Sequence, residues 1–468
     1  MITAINPTTG EKIADYDLHS SREVDAALSD AAKAQSEWRN SEPAKRSQLL
    51  RSIASVLRAD AARYAGLITE EMGKPITEAQ AEIEKCAVTL DYYAENAARF
   101  LDFEEIPSNA IRSGVVYDPL GVVLAIMPWN YPFWQFFRFL APALAAGNGA
   151  ILKHANNVPA CALEVEKIVN AAGAPAGLVK TLLIEASDVA AIIADDRIAA
   201  VTLTGSTEVG QIVAAQAGAA LKKQVLELGG SDPFIVLADA DVQEAAKIAV
   251  KARFTNAGQS CVNAKRFIIE DAVADEFVAA FTSNVQALTV GDPRSPETQI
   301  GPMARGNLRS DLHSQVQRTL EAGATLLTGG RPGEGDGYYY EPTVIDNVTA
   351  DQAAFTEETF GPVAAIIRVS GPAEAIELAN QTEFGLGAAL WTTDLARADK
   401  LVRAIDAGAV FVNGMVASDA RLPFGGIKKS GYGRELGPQG LREFVNVKTV
   451  WYGPTTAPTG AVNDTTGE

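Results

Sequence analysis

The sequence predicts an α/β protein with two domains, each built on a mostly parallel sheet. Short apolar runs alternate with helical stretches between residues 121 and 228, and a second series of the same kind begins at residue 233. Such strand, helix, strand repeats are typical of parallel sheets with helices on both faces. The length of 468 residues points the same way, because a single core stops growing at about 250–300 residues.

A helical region precedes the first series of strands. From Ser20 to about Leu101 apolar residues recur at helix spacing, and Ser20 followed by Glu23 forms the pattern of a capping box. The predicted strands of the first series are 121–127, 149–153, 178–184, 199–204 and 224–228, and those of the second are 233–237, 266–270, 325–330, 364–369 and 407–414. The last residues, 455–468, are rich in Pro, Thr and Gly and predict a flexible tail.

The charge and the apolar content exclude several classes of function. The net charge of -18 disfavours binding to nucleic acid or to an anionic membrane surface. No segment approaches the ~20 apolar residues that cross a bilayer, and the N-terminus lacks the pattern of a signal peptide, so a cytoplasmic protein is expected. Three widely spaced cysteines and three scattered histidines predict neither a disulfide framework nor a metal site.

Cys261 lies in surroundings that suit a nucleophile. It follows a Gly-containing turn and precedes a predicted strand, in the segment FTNAGQSCVNAKR (254–266). Lys265 and Arg266 are close enough in sequence to stabilise a thiolate, which is the reactive form of cysteine. An inert buried cysteine is the alternative, and this is the preferred interpretation for Cys86 and Cys161, which fall inside amphipathic helices.

Two other polar residues stand in apolar surroundings. Glu227 interrupts an apolar strand and is followed by Gly229 and Gly230, which allow the backbone to approach another group closely. A carboxylate there is either a general base with a raised pKa or one member of a salt bridge. Asn130, within the aromatic segment MPWNYPFWQFFRF (127–139), either donates to a developing oxyanion or belongs to an aromatic core.

A Gly-flanked turn, 205–210, joins a predicted strand to a predicted helix. The free N–H groups in the first turn of such a helix can bind phosphate. The spacing departs from G-x-G-x-x-G, so an ordinary strand-to-helix turn explains this segment equally well when it is taken alone.

Taken together, these segments resemble the aldehyde dehydrogenase superfamily. The resemblance runs along nearly the whole chain in the order of the family's motifs: PWNYPF, LTGSTEVG, ELGGSDP, GQSC, EETFGPV and PFGGIKKSG. Glu227 precedes Cys261 by 34 residues, as the family pattern requires. The resemblance implies that Cys261 is the nucleophile, that Asn130 and the Cys261 backbone N–H form an oxyanion hole, and that Glu227 is the general base.

The resemblance also implies a nicotinamide cofactor and no metal. The residues that match the family's cofactor site are Trp129, Lys153, Gly205, Ser206, Glu358 and Phe360, with Ser206 near the pyrophosphate, Glu358 on the nicotinamide ribose and Lys153 on the adenosine ribose. Many NAD-specific relatives place a glutamate three residues after the lysine, but this chain has Asn156. Loss of that carboxylate removes repulsion toward a 2′-phosphate, so use of both NAD and NADP is expected.

The family fold that this resemblance implies has three parts. A Rossmann-like cofactor domain maps to 1–100 and 121–228, and an α/β catalytic domain maps to 229–444. A small β extension that pairs subunits maps to 101–120 and 445–454. The extension implies a homodimer or a homotetramer.

Within that family the chain is most similar to bacterial succinate-semialdehyde dehydrogenases, in segments such as LKHANNVP, GPMAR and ASDARLPFGG. Arg138 stands where related enzymes place a carboxylate-binding arginine, and Ser418 and Arg421 complete the implied pocket. Two positions depart from those relatives: Thr255 replaces a second arginine, and Phe139 replaces a lysine.

Several alternatives stay open at this point. A salt bridge beneath the aromatic loop also explains Arg138. The substrate could be another aliphatic or aromatic aldehyde, or the thioester could pass to coenzyme A. A nucleotide-binding homologue without activity and a cofactor-free thiol esterase are further alternatives, although the set of Cys261, Glu227 and Asn130 argues against an inactive protein.

Overall fold

The computed structural model describes residues 1–453, so the predicted tail at 455–468 lies outside the described residues. The elements up to the end of the first sheet series are β1 (Ile2–Ile5), β2 (Lys12–Tyr16), α1 (Ser21–Trp38), α2 (Pro43–Ala59), α3 (Ala61–Met72), α4 (Ile76–Phe100), β3 (Glu104–Glu105), β4 (Arg112–Pro119), β5 (Val122–Met127), α5 (Trp134–Ala146), β6 (Gly149–His154), α6 (Pro159–Ala171), β7 (Val179–Leu182), α7 (Val189–Ala194), β8 (Ile198–Thr204), α8 (Thr207–Ala219) and β9 (Lys223–Glu227).

The second half contains the remaining strands and helices. They are β10 (Asp232–Val236), α9 (Val242–Phe254), β11 (Ala264–Glu270), α10 (Asp271–Gln286), α11 (Gly306–Glu321), β12 (Thr325–Thr328), β13 (Thr343–Asp346), α12 (Ala353–Thr356), β14 (Val363–Val369), α13 (Pro372–Asn380), β15 (Gly387–Trp391), α14 (Leu395–Val402), β16 (Ala409–Val412), β17 (Gly431–Tyr432), α15 (Gly437–Arg442) and β18 (Val445–Tyr452). All ten predicted strands are present, which confirms the α/β class.

The helical entry region is confirmed, and it includes the predicted capping box. The Ser20 hydroxyl accepts the Glu23 backbone N–H at 3.4 Å, and the Glu23 carboxylate accepts the Ser20 N–H at 2.7 Å. Helices α1 to α4 contribute Trp38, Leu50, Leu57 and other buried side chains to the core under the first sheet. No helix within residues 1–453 has the length and apolar content needed to cross a membrane.

The first sheet has six strands in the order β17-β9-β8-β5-β6-β7, and all of its neighbouring pairs except β17 with β9 are parallel. Ile126 of β5 is in register with Lys153 of β6 and with Leu203 of β8, and Thr204 is in register with Glu227 of β9. The carboxyl ends of four strands therefore meet along one edge. In open parallel sheets such an edge is where ligands bind.

The second sheet has seven strands in the order β12-β13-β14-β11-β10-β15-β16. It is parallel except for the β12–β13 pair. The sequence pattern missed β13 and β15. Both are short and buried, so neither shows the alternation of apolar and polar residues that marks a half-exposed strand.

The chain returns to the first sheet near its end. Gly431 and Tyr432 of β17 pair with Glu227 and Leu226 of β9. Phe424, Leu441 and other residues of this part of the chain pack into the core beneath the first sheet. Part of the range 229–444, which the sequence assigns to the catalytic domain, thus pairs with the first sheet. A strand of two residues gives no sequence pattern that would reveal this pairing.

A separate antiparallel sheet of order β18-β4-β3 occupies the ranges predicted for the extension. Strands β4 and β18 pair over eight residues, from Arg112 with Tyr452 to Pro119 with Val445. Val447 and Trp451 are exposed on this sheet. The role of the sheet in joining subunits stays a prediction.

Candidate active site

The predicted reactive residues come together between the two sheets. Asn130 follows β5 and Glu227 ends β9, so both lie at the carboxyl edge of the first sheet. Cys261 lies on the loop between α9 and β11 of the second sheet. Gly230 lets this loop approach, because a Cβ atom at that position would lie only 2.7 Å from the Cys261 carbonyl oxygen.

The loop that carries Cys261 begins with a strained turn. Asn256, Ala257 and Gly258 have φ of 57°, 51° and 71°, and the first two are residues that rarely adopt the left-handed region. The Glu78 carboxylate accepts the Asn256 backbone N–H at 2.7 Å. The Asn256 side-chain amide donates to the carbonyl of Asn130 at 2.9 Å, which ties the turn to the opposite wall of the site.

Asn130 is held in place on its own segment. It is buried, and its Nδ2 donates one N–H to the Gln259 carbonyl at 3.0 Å, which leaves the second N–H of the amide for another acceptor. Glu82 accepts the backbone N–H groups of Phe133 and Trp134 at 2.9 and 3.0 Å and so anchors the start of α5. Both walls of the site are therefore braced from α4.

Cys261 is half-buried as a residue. Burial of its surroundings raises the pKa of the thiol to about 12, and the charges of Arg138 and Lys265 oppose this rise. Lys265 donates to the Cys261 carbonyl oxygen at 2.9 Å, so it acts on the backbone and through space rather than on the sulfur directly. The prediction that Arg266 stabilises the thiolate is wrong. Its guanidinium donates hydrogen bonds to backbone carbonyls, including that of Ser231 at 3.0 Å.

Glu227 is buried without a partner. Its side chain is 2% exposed, and neither carboxylate oxygen has a hydrogen-bond partner among the described residues. Burial and the nearby charge of Glu435 raise the pKa of Glu227 well above its ordinary value, while Arg138 and Arg434 oppose the rise. A carboxyl group in this condition binds a proton readily, which suits a general base.

The predicted cofactor residues of the first sheet lie along the same edge as Asn130 and Glu227. Lys153 is the next-to-last residue of β6, and its Nζ lies 3.0 Å from the Asn156 side-chain oxygen. Ser206 caps α8 by accepting the Val209 N–H at 3.4 Å, and Gly205 precedes it at the end of β8. A helix that starts at the carboxyl edge of a parallel sheet is a suitable site for a pyrophosphate.

Two predicted cofactor residues face that edge from the second sheet. Glu358 accepts the Gly230 backbone N–H at 3.0 Å, and Phe360 packs edge-on against Trp129 with ring centres 5.7 Å apart. A Cβ atom at Gly229 would lie 2.6 Å from a Glu358 carboxylate oxygen, so a larger residue there would displace the Glu358 side chain. This set of a basic residue, a helix start and an acidic residue along one edge fits a dinucleotide.

The three predicted substrate residues have different surroundings. Arg138 is 2% exposed, forms an ion pair with Glu435 and lies 3.4 Å from the Thr204 hydroxyl, as the salt-bridge alternative anticipates. Arg421 is on the surface and pairs with Asp419. Each arginine thus already has a carboxylate partner, and a substrate role for Arg138 or Arg421 stays a prediction.

Ser418 is the third predicted substrate residue. It is half-buried, and its hydroxyl oxygen accepts a hydrogen bond from the Lys85 ammonium at 2.6 Å. Lys85 was not among the residues singled out from the sequence.

The other residues that the sequence analysis missed support the site from α4 and from the C-terminal segment. Lys74, Glu78, Glu82 and Lys85 recur every three or four residues, so those on α4 share one helix face. This face is otherwise apolar and buried. Charged residues at this spacing on the apolar face of a helix were the sequence pattern that could have identified them. Glu435 had no comparable signal, because it sits in an irregular segment.

Three comparisons place the chain among known proteins. Residues 1–450 match the model of the aldehyde dehydrogenase family. A probable succinate-semialdehyde dehydrogenase [NADP(+)] of Synechocystis sp. is 50% identical over 450 residues, which cover 96% of this chain and 99% of that relative. The succinate semialdehyde dehydrogenase [NAD(P)+] Sad of Escherichia coli is 49% identical over 448 residues, covering 96% of this chain and 97% of the relative.

A solved structure agrees with these matches. Succinic semialdehyde dehydrogenase from Streptococcus pyogenes, in complex with NADP+, superposes with a TM-score of 0.95 at 37% identity. The superposition covers 97% of this chain and 100% of that one. The similarity therefore extends over the sheets, the helices and the loops that carry the site.

Proposed function

Because this chain belongs to the aldehyde dehydrogenase family, we propose that it oxidises succinate semialdehyde to succinate with NADP+ as electron acceptor. The observation that carries the proposal is the convergence of Cys261, Asn130 and Glu227 at one edge of the first sheet, beside the residues that match a dinucleotide site. The overall reaction consumes the aldehyde, NADP+ and water and yields the carboxylate, NADPH and two protons.

The Cys261 thiol first loses its proton to solvent, and the resulting thiolate then forms a covalent bond to the carbonyl carbon. The oxygen becomes an oxyanion, which accepts hydrogen bonds from the free N–H of Asn130 and from the Cys261 backbone N–H. One donor of this kind is commonly worth about 3 kcal/mol of transition-state stabilisation. Lys153, Ser206 and Glu358 would hold NADP+, which would supply an acceptor for the hydride that the substrate carbon gives up. A thioester on Cys261 is then left.

The second step releases the acid. Glu227 takes a proton from a water molecule, the water oxygen bonds to the thioester carbon, and the carbon–sulfur bond breaks to return the thiolate. The raised pKa of Glu227 supports this role, because a more basic carboxylate accepts the proton more readily. In the described residues Glu227 has no hydrogen-bond partner that would compete for its carboxylate.

The cofactor preference depends on the residue that follows β6. Asn156 places a neutral amide 3.0 Å from Lys153 Nζ, so a 2′-phosphate meets a cation and no adjacent carboxylate at this position. We expect both NADP+ and NAD+ to be used. Asn156→Glu should lower kcat/KM with NADP+ by at least about 10-fold and change it little with NAD+, since like charges repel.

The control for this cofactor prediction is Asn156→Gln, which keeps the position neutral. Steady-state rates with each cofactor at a fixed aldehyde concentration measure the effect. If Asn156→Glu lowered kcat/KM equally for NAD+ and NADP+, residue 156 would not discriminate between the two cofactors through the 2′-phosphate.

The proposed assembly is a homodimer or homotetramer joined through the three-stranded extension. Apolar side chains of that sheet, including Val447 and Trp451, are 58% and 52% exposed in the single chain. Exposed apolar side chains on a sheet with free edges are a common signature of a subunit interface.

The function is tested with a panel of aldehydes assayed with NAD+ and NADP+, with and without coenzyme A, while the absorbance of the reduced cofactor is followed. We expect the highest kcat/KM with succinate semialdehyde, free succinate as product and no requirement for coenzyme A. A tenfold higher kcat/KM with an uncharged aldehyde would contradict the proposed substrate. Formation of a coenzyme A thioester would contradict the hydrolytic step.

A further inference from the structure

Lys85 is a half-buried cation in contact with Ser418, one of the predicted substrate residues. It lies on α4, one turn beyond Glu82. Its Nζ donates to the Ser418 hydroxyl oxygen at 2.6 Å and lies 4.4 Å from the centre of the Trp134 ring. The ammonium is thus enclosed by a hydroxyl group and an aromatic face.

The carboxylates near Lys85 are committed to other cations. Glu82 pairs with Lys74, and Asp419 pairs with Arg421. Within residues 1–453 Lys85 itself forms no ion pair. A partly desolvated ammonium without a carboxylate is unfavourable unless an anion joins it, since charges removed from water need a partner.

The charge state of Lys85 reflects this environment. Burial lowers the pKa of Lys85 to about 8, and the Arg138 charge adds to the fall. Cys86 and Glu82 on α4, together with Asp419 on the C-terminal segment, oppose it. An anion bound to the ammonium would raise this pKa again, because an opposite charge favours the protonated form.

Lys85 lies beside the segment that carries the proposed oxyanion donor. The Arg138 guanidinium lowers the pKa of Lys85 and also that of Cys261. Trp134, which contacts Lys85, lies four residues after Asn130 on the segment that supplies the oxyanion donor. Arg138 already pairs with Glu435, whereas Lys85 has no carboxylate partner within residues 1–453.

We propose that the Lys85 ammonium and the Ser418 hydroxyl receive the distal carboxylate of the aldehyde substrate. The Ser418 oxygen accepts from Lys85, so its own hydrogen is free to donate to a carboxylate oxygen. The Trp134 ring offers an apolar surface to the methylene groups. Lys85 is then a specificity-determining residue, and the inference rests on the proposed function because it assumes a carboxylated aldehyde.

The test compares succinate semialdehyde with butanal, an uncharged aldehyde of the same carbon number. The quantity of interest is the ratio of the two kcat/KM values. Lys85→Met keeps the length of the side chain but removes its charge, and we expect the ratio to fall about 100-fold. Lys85→Arg should restore most of the preference, and Lys45→Met, at an exposed lysine of α2, is the control that should leave the ratio unchanged.

The pH dependence separates a charge effect from a structural one. Lys85 carries its charge below its pKa, so affinity for a carboxylate is present at lower pH and is lost as the pH rises through about 8. In the wild-type protein KM for succinate semialdehyde should therefore rise above that pH relative to KM for butanal. This relative rise should be absent in Lys85→Met.

A binding measurement keeps the inference independent of turnover with the semialdehyde. Succinate should inhibit butanal oxidation by the wild-type protein, with an inhibition constant at least about 10-fold higher in Lys85→Met. An unchanged inhibition constant, or an equal loss of kcat/KM with both aldehydes, would overturn the role of Lys85 while leaving the proposed function intact. A wild-type protein without preference for succinate semialdehyde over butanal would instead overturn the proposed substrate.

Discussion

Two buried groups of polar residues lie side by side in this molecule, and they differ in how many partners they have. The reacting cluster consists of Cys261, Asn130 and Glu227. The bracing cluster consists of Lys74, Glu78, Glu82 and Asn256. Both clusters lie between the same walls, so the difference between them is one of pairing rather than of location.

The two glutamates at positions 82 and 227 show the contrast best. Glu82 and Glu227 are 4% and 2% exposed. Glu82 accepts two backbone N–H groups and pairs with Lys74, whereas the Glu227 carboxylate has no hydrogen-bond partner in the described part of the chain. A buried carboxylate that has hydrogen-bond and ion-pair partners is held in a fixed position. A buried carboxylate without partners has a higher proton affinity and stays free to react.

The bracing cluster also holds a costly backbone conformation. Non-glycine residues in the left-handed region cost of order 1–3 kcal/mol each and persist only where surrounding contacts determine them. Asn256 and Ala257 adopt this region directly before Cys261, and Glu78 holds the Asn256 N–H. The difference between the clusters therefore predicts that substitutions in the reacting cluster affect turnover and that substitutions in the bracing cluster affect the free energy of unfolding.

The largest expected effect comes from Cys261→Ala. Removal of the sulfur removes the only group proposed to bond to the substrate, so turnover should fall by at least about 10,000-fold. The denaturation midpoint should stay close to that of the wild type, because the thiol makes no ion pair. Reduced-cofactor absorbance measures turnover, and urea unfolding measures the denaturation midpoint. A Cys261→Ala variant that lost stability but kept its turnover would place Cys261 with the bracing cluster instead of the reacting cluster.

Glu227→Gln should affect the second step alone. The amide keeps the shape but cannot take a proton, so the steady-state rate should fall about 1,000-fold while one equivalent of reduced cofactor still forms in a burst. The raised pKa implies that wild-type turnover increases as the pH rises through that pKa, since only the deprotonated carboxylate is a base. This increase should be absent in Glu227→Gln.

A burst followed by an undiminished steady rate in Glu227→Gln would show that another group activates the water. Glu208→Gln, at an exposed residue in the first turn of α8, is a matched control that should change neither phase.

The smallest effect on chemistry and the main effect on stability are expected from Glu82→Ala. The change leaves Lys74, which is 1% exposed, without its carboxylate and leaves two backbone donors unsatisfied. Breaking a buried ion pair on one side commonly costs about 3–5 kcal/mol. Urea unfolding followed by tryptophan fluorescence measures this loss. Glu95→Ala, at an exposed position of the same helix, should shift stability by less than about 0.5 kcal/mol.

Equal unfolding midpoints for Glu82→Ala and the wild type would remove the distinction between the two clusters. A loss of activity with unchanged stability would instead place Glu82 in the chemistry.

Sequence patterns anticipated the strands that matter most for the site. The long apolar runs that became β5 and β8 are followed by Trp129, Asn130 and Ser206, and the parallel register brings those positions to one edge. Patterns failed for β13 and β17, because strands of four and two residues carry too little periodicity. They also failed for Arg266, whose neighbours in space are carbonyls far away in the sequence, such as that of Ala379.

By itself the sequence determined which chemical groups are available and their order: a thiol, an amide, a carboxyl group, a strand-to-helix turn, and motifs specific enough to indicate the family. Only the tertiary structure decided how those groups are paired. Arg138 meets Glu435, and Lys85 meets Ser418 across 333 residues of chain. The physical reason is that reactivity depends on burial and on nearby charges, and both are set by residues that the fold brings together from distant parts of the chain.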